Sequence, residues 1–201
     1  LRQCNRPIGL SGGFMNLPNR LTISRVILAG IFIFLLFVKG PGAKFAALGV
    51  FLIASITDYY DGLIARKHNM ITDFGRLMDP IADKILILGA LLAFVEMEII
   101  PAWAVIIIIS RELLITGIRI LALSKRKVLS AELAGKHKTV SQIVTILSIL
   151  IFLIIRDSGF TFRYINYYKD AISILVLITI AMTISSGASY MIRNRDIFIN
   201  R

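Results

Sequence analysis

Asp58-Tyr59-Tyr60-Asp61-Gly62-Leu63-Ile64-Ala65-Arg66, eight residues, then Gly75-Arg76-Leu77-Met78-Asp79-Pro80-Ile81-Ala82-Asp83: this polar stretch decides how the chain is read. It lies between two apolar segments, Phe51-Leu52-Ile53-Ala54-Ser55-Ile56 before it and Ile85-Leu86-Ile87-Leu88 after it. Carboxylates at the mouth of segments apolar enough for lipid are expensive to place, so they mark a functional site. On a helix, Asp58 and Asp61 are three apart and Asp79 and Asp83 four apart, so each pair projects from one face. Two such helices side by side would aim four carboxylates into one cleft. Like charges that close need a counter-ion, and an all-oxygen donor set suits Mg²⁺ or Mn²⁺. Four acids around one or two divalent ions make a clamp suited to phosphoryl groups. Gly62, Ala65 and Gly75 keep the helix surfaces bare, so that a neighbouring helix or a ligand can approach closely.

The rest of the chain supports a membrane setting. Of its 201 residues 57% are hydrophobic, and its apolar runs approach the ~20 residues that cross a bilayer. The expected fold is an all-α integral membrane protein, a six-transmembrane-helix bundle with a polar active-site cavity on the cytoplasmic side. Residues 1–15 are expected to be a disordered or non-native extension, and 16–201 one membrane domain. The spans are expected at about 21–38, 44–66, two between 75 and 122 with a break at Glu96-Met97-Glu98-Ile99-Ile100-Pro101, then 139–155 and 170–192. Trp103, beside that break, reads as an interface anchor.

A net charge of +11 raises the question of nucleic acid, but the basic residues alternate with apolar spans rather than forming a stripe on a polar fold. Anionic lipids and phosphorylated substrates account for the charge, and no nucleic-acid partner is expected. With six spans, eighteen of the 23 Lys and Arg fall on the side of the Asp motif. That bias puts the motif and both termini in the cytoplasm, in a cell inner membrane. The single cysteine, Cys4, has no internal disulfide partner, and His68 and His137 do not form a metal motif.

A second polar cluster lies downstream. Arg111, Glu112 and Arg119 interrupt an apolar helix, with the two arginines eight apart and close to one face. Guanidinium forks match phosphate oxygens, which favours phosphate binding for the arginines. Glu112 reads equally well as an ion-pair partner locking the bundle. Gly135-Lys136-His137-Lys138-Thr139, with Gln142 one turn on, places donors and positive charge where the fifth span opens, a natural anion site. The blander alternative is that Lys136 and Lys138 anchor a loop to lipid headgroups.

The pattern D-G-x-x-A-R, eight residues, G-x-x-x-D-x-x-x-D, with Asp58 three before the first acid, resembles the signature of the CDP-alcohol phosphatidyltransferases, and every motif position is filled. Helix caps and surface ion pairs would not require so many positions in register. Asn16-x-Pro18-Asn19, Arg111-Glu112, Arg119 and Gly135-Lys136-x-Lys138-Thr139 narrow the resemblance to the bacterial phosphatidylglycerophosphate synthase branch. The resemblance implies a phosphatidyl donor, CDP-diacylglycerol, and an acceptor, sn-glycerol 3-phosphate, in phospholipid biosynthesis. It implies that Asp58, Asp61, Asp79 and Asp83 hold one or two Mg²⁺ or Mn²⁺ ions, and that Asp83 is the general base. Asp58, Gly62, Ala65, Arg66 and Gly75 would bind CDP-diacylglycerol, and Arg111, Arg119, Lys136 and Lys138 the acceptor phosphate. Homodimers are common among such relatives, although the spans here carry no G-x-x-x-G pair. Competing expectations are another acceptor in the same family (phosphatidylglycerol or inositol phosphate) and, from a different class, a cation transporter built on intramembrane carboxylates.

Overall fold

Glycine and proline punctuate the chain into helices. The structure, a computed structural model, describes the backbone of residues 17–68, 73–124, 133–159 and 165–194, and the side chains of 23–57, 84–118, 138–159 and 167–194. Among these, every regular element is an α-helix: α1 (Leu17–Phe37), α2 (Pro41–His68), α3 (Asp73–Glu96), α4 (Ala102–Ser124), α5 (Leu133–Asp157) and α6 (Ile165–Arg193).

The helix ends have identifiable causes. Between α1 and α2, Gly40 adopts φ +105°, and Pro41 follows as the first residue of α2, where a missing N–H is harmless. The end of α3 is a Schellman motif: the N–H of Ile99 donates to Phe94 O and that of Glu98 to Val95 O, both at 2.9 Å. Its left-handed position, usually glycine, is Glu98 at φ +56°. At the end of α5 the same position is a glycine, Gly159 at φ +72°, whose N–H donates to Arg156 O.

One core runs through all six helices. α1 packs on α2 and α3, α5 on α6, α2 and α3, and α4 on α6 and α3. Small residues let helices close in, with Ala29, Ala47, Ala54 and Ala90 all fully buried. Larger side chains fill the remaining space, including Phe32 and Phe51, whose ring centroids lie 5.5 Å apart. A smaller cluster, Ile115, Ile118 and Tyr190, joins α4 to α6 near the far end of both helices.

The outer surface is unusually apolar. Phe34, Phe45, Ile106, Leu113 and Leu114 are all more than half exposed, a pattern suited to lipid rather than water. Two helical stretches, Lys138–Asp157 and Tyr167–Arg193, are long and apolar enough to cross a membrane, while Ile23–Phe37 and Pro41–Thr57 are shorter apolar runs. Among the described residues there are six helices and no strands, in keeping with the all-α expectation. α5, however, begins at Leu133 rather than near Thr139, so Gly135 and Lys136 lie in its first turn and Lys138 beyond it. Trp103 is half-exposed at the start of α4.

One end of the bundle is tied by a lysine. Lys44, in the first turns of α2 and almost fully buried, donates to Leu36 O and to Val38 O (2.8 Å) at the end of α1. Cations are favoured there because the last carbonyls of a helix carry partial negative charge. Its Nζ is also 3.8 Å from Asp157 at the end of α5.

Candidate active site

The acidic motif occupies two consecutive helices. α2 continues unbroken through Asp58, Asp61, Gly62, Ala65 and Arg66, and α3 carries Gly75, Asp79 and Asp83. α2 and α3 pack against each other. The helical spacing expected for each acid pair is therefore present in the backbone. The side chains of 58–83 lie outside the described residues.

Immediately after the motif, on α3, comes Lys84, and with it a buried polar cluster begins. Its centre is Glu112 on α4, only 8% exposed. Lys138 of α5, 3% exposed, ion-pairs with Glu112 Oε1. Arg111 Nη1 lies 3.4 Å from the same oxygen, and Lys84 Nζ 3.5 Å from Oε2. Lys84 also donates to Thr116 Oγ1, which in turn donates to Glu112 O at 2.8 Å. Three helices thus supply cations to one carboxylate. Charges this deep are tolerated only when paired and hydrogen-bonded, so the contacts fix the side chains as well as the helices.

α6 closes the fourth side. Arg111 Nη2 donates to Ser186 Oγ at 2.7 Å. Beside it, Gly187 leaves the arginine side chain room, since a Cβ there would sit 3.1 Å from Arg111 Cγ and 3.6 Å from Nε. From this point a buried polar seam follows the α5–α6 contact. Lys138, Gln142 and Thr145 recur along one face of α5, and Thr179, Thr183 and Ser186 along one face of α6. Thr145 Oγ1 and Thr179 Oγ1 share a hydrogen bond of 3.0 Å, and Thr183 Oγ1 donates to Thr179 O at 2.6 Å. Gln142 Nε2 is buried with no hydrogen-bond partner among the described residues.

A family model for CDP-alcohol phosphatidyltransferase matches residues 15–191. The chain belongs to the CDP-alcohol phosphatidyltransferase family. Among relatives in this family, it is 34% identical to the CDP-diacylglycerol–glycerol-3-phosphate 3-phosphatidyltransferase of Bacillus subtilis (strain 168), over 89% of this chain and 95% of that protein. Proteins of the same name from Rickettsia typhi (strain ATCC VR-144 / Wilmington) and Haemophilus influenzae (strain ATCC 51907 / DSM 11121 / KW20 / Rd) are 38% and 35% identical. The first match covers 87% of this chain and 94% of the relative, the second 88% and 91%.

Within this phosphatidyltransferase framework, the structure brings Arg111 and Lys138 together around Glu112. Lys138 is too deeply buried for a headgroup anchor, and Glu112 makes the ion pairs that the bundle-locking reading expects. Arg119 and Lys136 lie on α4 and α5, with side chains outside the described residues. Lys84, Thr116, Ser186 and Gly187 were not singled out by sequence reasoning. The signal for Lys84 was its place directly after Asp83; for Ser186 and Gly187 it was a run of small residues, Ser185-Ser186-Gly187-Ala188-Ser189, in an otherwise apolar helix. At the opposite end of the bundle, a cavity of about 440 Å³ is lined by Lys39, Lys44, Arg156 and Asp157 among others, and of these Lys44 and Asp157 are engaged in the helix-end tie.

Proposed function

We propose that this chain transfers the phosphatidyl group of CDP-diacylglycerol to sn-glycerol 3-phosphate, giving phosphatidylglycerophosphate and CMP. The observation that carries this reading is the gathering of Lys84, Arg111 and Lys138 from three helices, one residue along the chain from Asp83. A small acceptor bearing a phosphate monoester needs such a cluster beside the reacting hydroxyl. A lipid acceptor such as phosphatidylglycerol offers no terminal phosphate for it. The relatives' names point to the same acceptor.

Asp83 removes the proton from the acceptor hydroxyl. The oxygen then attacks the phosphorus that bears diacylglycerol, the new P–O bond forms, and the bond to the CMP oxygen breaks, with CMP leaving. Arg111, Lys138, Lys84, Arg119 and Lys136 hold the acceptor phosphate, which orients the hydroxyl toward Asp83. Arg66 contacts the pyrophosphate, while Gly62, Ala65 and Gly75 leave room for the cytidine beside Asp58. The donor set of Asp58, Asp61, Asp79 and Asp83, all hard oxygen on two packed helices, fits Mg²⁺ or Mn²⁺. Such an ion, when bound, neutralises pyrophosphate charge. The donor's tails remain in lipid while the acceptor enters from the cytoplasm, so the motif end faces inward in a six-span arrangement.

The test is CMP release by purified, detergent-solubilised protein from CDP-diacylglycerol, with one acceptor at a time and a metal-free control. Metal-dependent release with glycerol 3-phosphate alone is the expected result. Release only with phosphatidylglycerol or inositol phosphate would overturn the acceptor assignment.

A further inference from the structure

We infer that Ser186 and Gly187 of α6 are positioning residues that set the Arg111 guanidinium for the acceptor phosphate, an inference that rests on the acceptor reading above. Two independent observations point there. The first is the 2.7 Å hydrogen bond from Arg111 Nη2 to Ser186 Oγ. It fixes one nitrogen of the fork while Nη1 faces Glu112 at 3.4 Å. The second is steric. Glycine inside a helix is less favourable than alanine, yet Gly187 lies well inside α6.

What glycine provides is space. A Cβ at 187 would lie 3.1 Å from Arg111 Cγ, tighter than ordinary packing allows, so the arginine stem must yield by a few tenths of an ångström. That stem has little freedom, because its far end is held by Ser186 on one side and Glu112 on the other. The displacement therefore passes to the guanidinium. Bidentate recognition of a phosphate depends on the placement of both fork nitrogens, so a small shift weakens acceptor binding while leaving donor binding alone.

Not every glycine in the bundle is a candidate. Gly117 on α4 has nothing within 4 Å of its virtual Cβ and is exposed. Gly117→Ala is thus a control for glycine replacement in general.

The experiment measures the Michaelis constants for glycerol 3-phosphate and for CDP-diacylglycerol in Ser186→Ala, Gly187→Ala and Gly117→Ala. Protection from thermal unfolding by glycerol 3-phosphate is read in parallel and needs no turnover. The expected result is a rise of about three- to tenfold in the glycerol 3-phosphate KM for Ser186→Ala and Gly187→Ala, a matching loss of thermal protection, and an unchanged CDP-diacylglycerol KM. Gly117→Ala should match the parent protein. If Gly187→Ala fails to fold, Ser186→Ala carries the test, since it only removes an oxygen. Parent-like glycerol 3-phosphate constants, or equal weakening toward both substrates, would overturn the positioning role while sparing the acceptor reading. If the folded parent protein neither releases CMP with glycerol 3-phosphate nor is stabilised by it, the acceptor reading fails and takes the positioning role with it.

Discussion

Glu112 on α4 and Lys138 on α5 form an ion pair in which both side chains are almost completely shielded. The same carboxylate faces Arg111 and Lys84, so one acid moderates the repulsion among three cations drawn from three helices. Removing it is therefore worse than losing one contact. Glu112→Ala should destabilise the protein by about 3–5 kcal/mol, the usual effect of breaking a buried charge pair from one side. Glu112→Gln, which keeps shape and acceptor capacity at one atom, should lose less. Thermal unfolding in detergent ranks the two, and equal stability of Glu112→Ala and the parent would refute the central role given to this carboxylate.

Lys84 should matter to the acceptor rather than to the donor. Lys84→Ala is expected to raise the KM for glycerol 3-phosphate about tenfold, in keeping with a charge-assisted contact to phosphate, with little change toward CDP-diacylglycerol. Steady-state kinetics with each substrate varied in turn decides it. Parent-like acceptor kinetics would remove Lys84 from the pocket.

Asp83→Asn should lower turnover by about 10²–10⁴-fold, the range for loss of a general base, while the helical circular dichroism stays intact. A folded variant with near-parent CMP release would mean that another group takes the proton.

The acid motif was legible because its information is local. Spacings of three and four residues report a shared face on any helix, and α2 and α3 run through the motif as those spacings require. Helix ends were legible where Gly40-Pro41 and Pro101 stand beside them. Ser186 and Gly187 were not, for a physical reason. In a water-soluble bundle the outward face of α6 would be polar, and the contrast would reveal which side meets α4. Here Ile174, Leu177 and Ile184 on the outside are as apolar as Ile172, Val176 and Ile180 within, so periodicity is silent about rotation. Lys84 was hidden differently. A lysine next to a charged motif counts equally well as a topology signal, and only the neighbouring helices reveal that it turns toward Glu112 and Thr116.

The ends of α3 and α5 offer a matched pair for testing backbone strain. Both place a residue in the left-handed region, but one is Glu98 and the other Gly159. A side chain there is unfavourable by roughly 1–2 kcal/mol, part of which glycine forfeits through its freer unfolded state. Glu98→Gly should thus stabilise the protein by up to about 1 kcal/mol, and Gly159→Ala destabilise it by about 1 kcal/mol. Opposite shifts in the unfolding midpoint are the expected pattern, and shifts of the same sign would contradict it.

The lysine at the far end of the bundle has a mechanical meaning. Lys44 belongs to α2, grips the final carbonyls of α1 and leans on the last residue of α5, so a single ammonium holds three helix ends together. The bundle is thus fastened at this end through α1, α2 and α5, and at the other through α3, α4, α5 and α6 by the Glu112 ion pairs and the Arg111–Ser186 bond. α5 enters both fastenings, through Asp157 at one end and Lys138 at the other, and so keeps the two ends of the bundle in register.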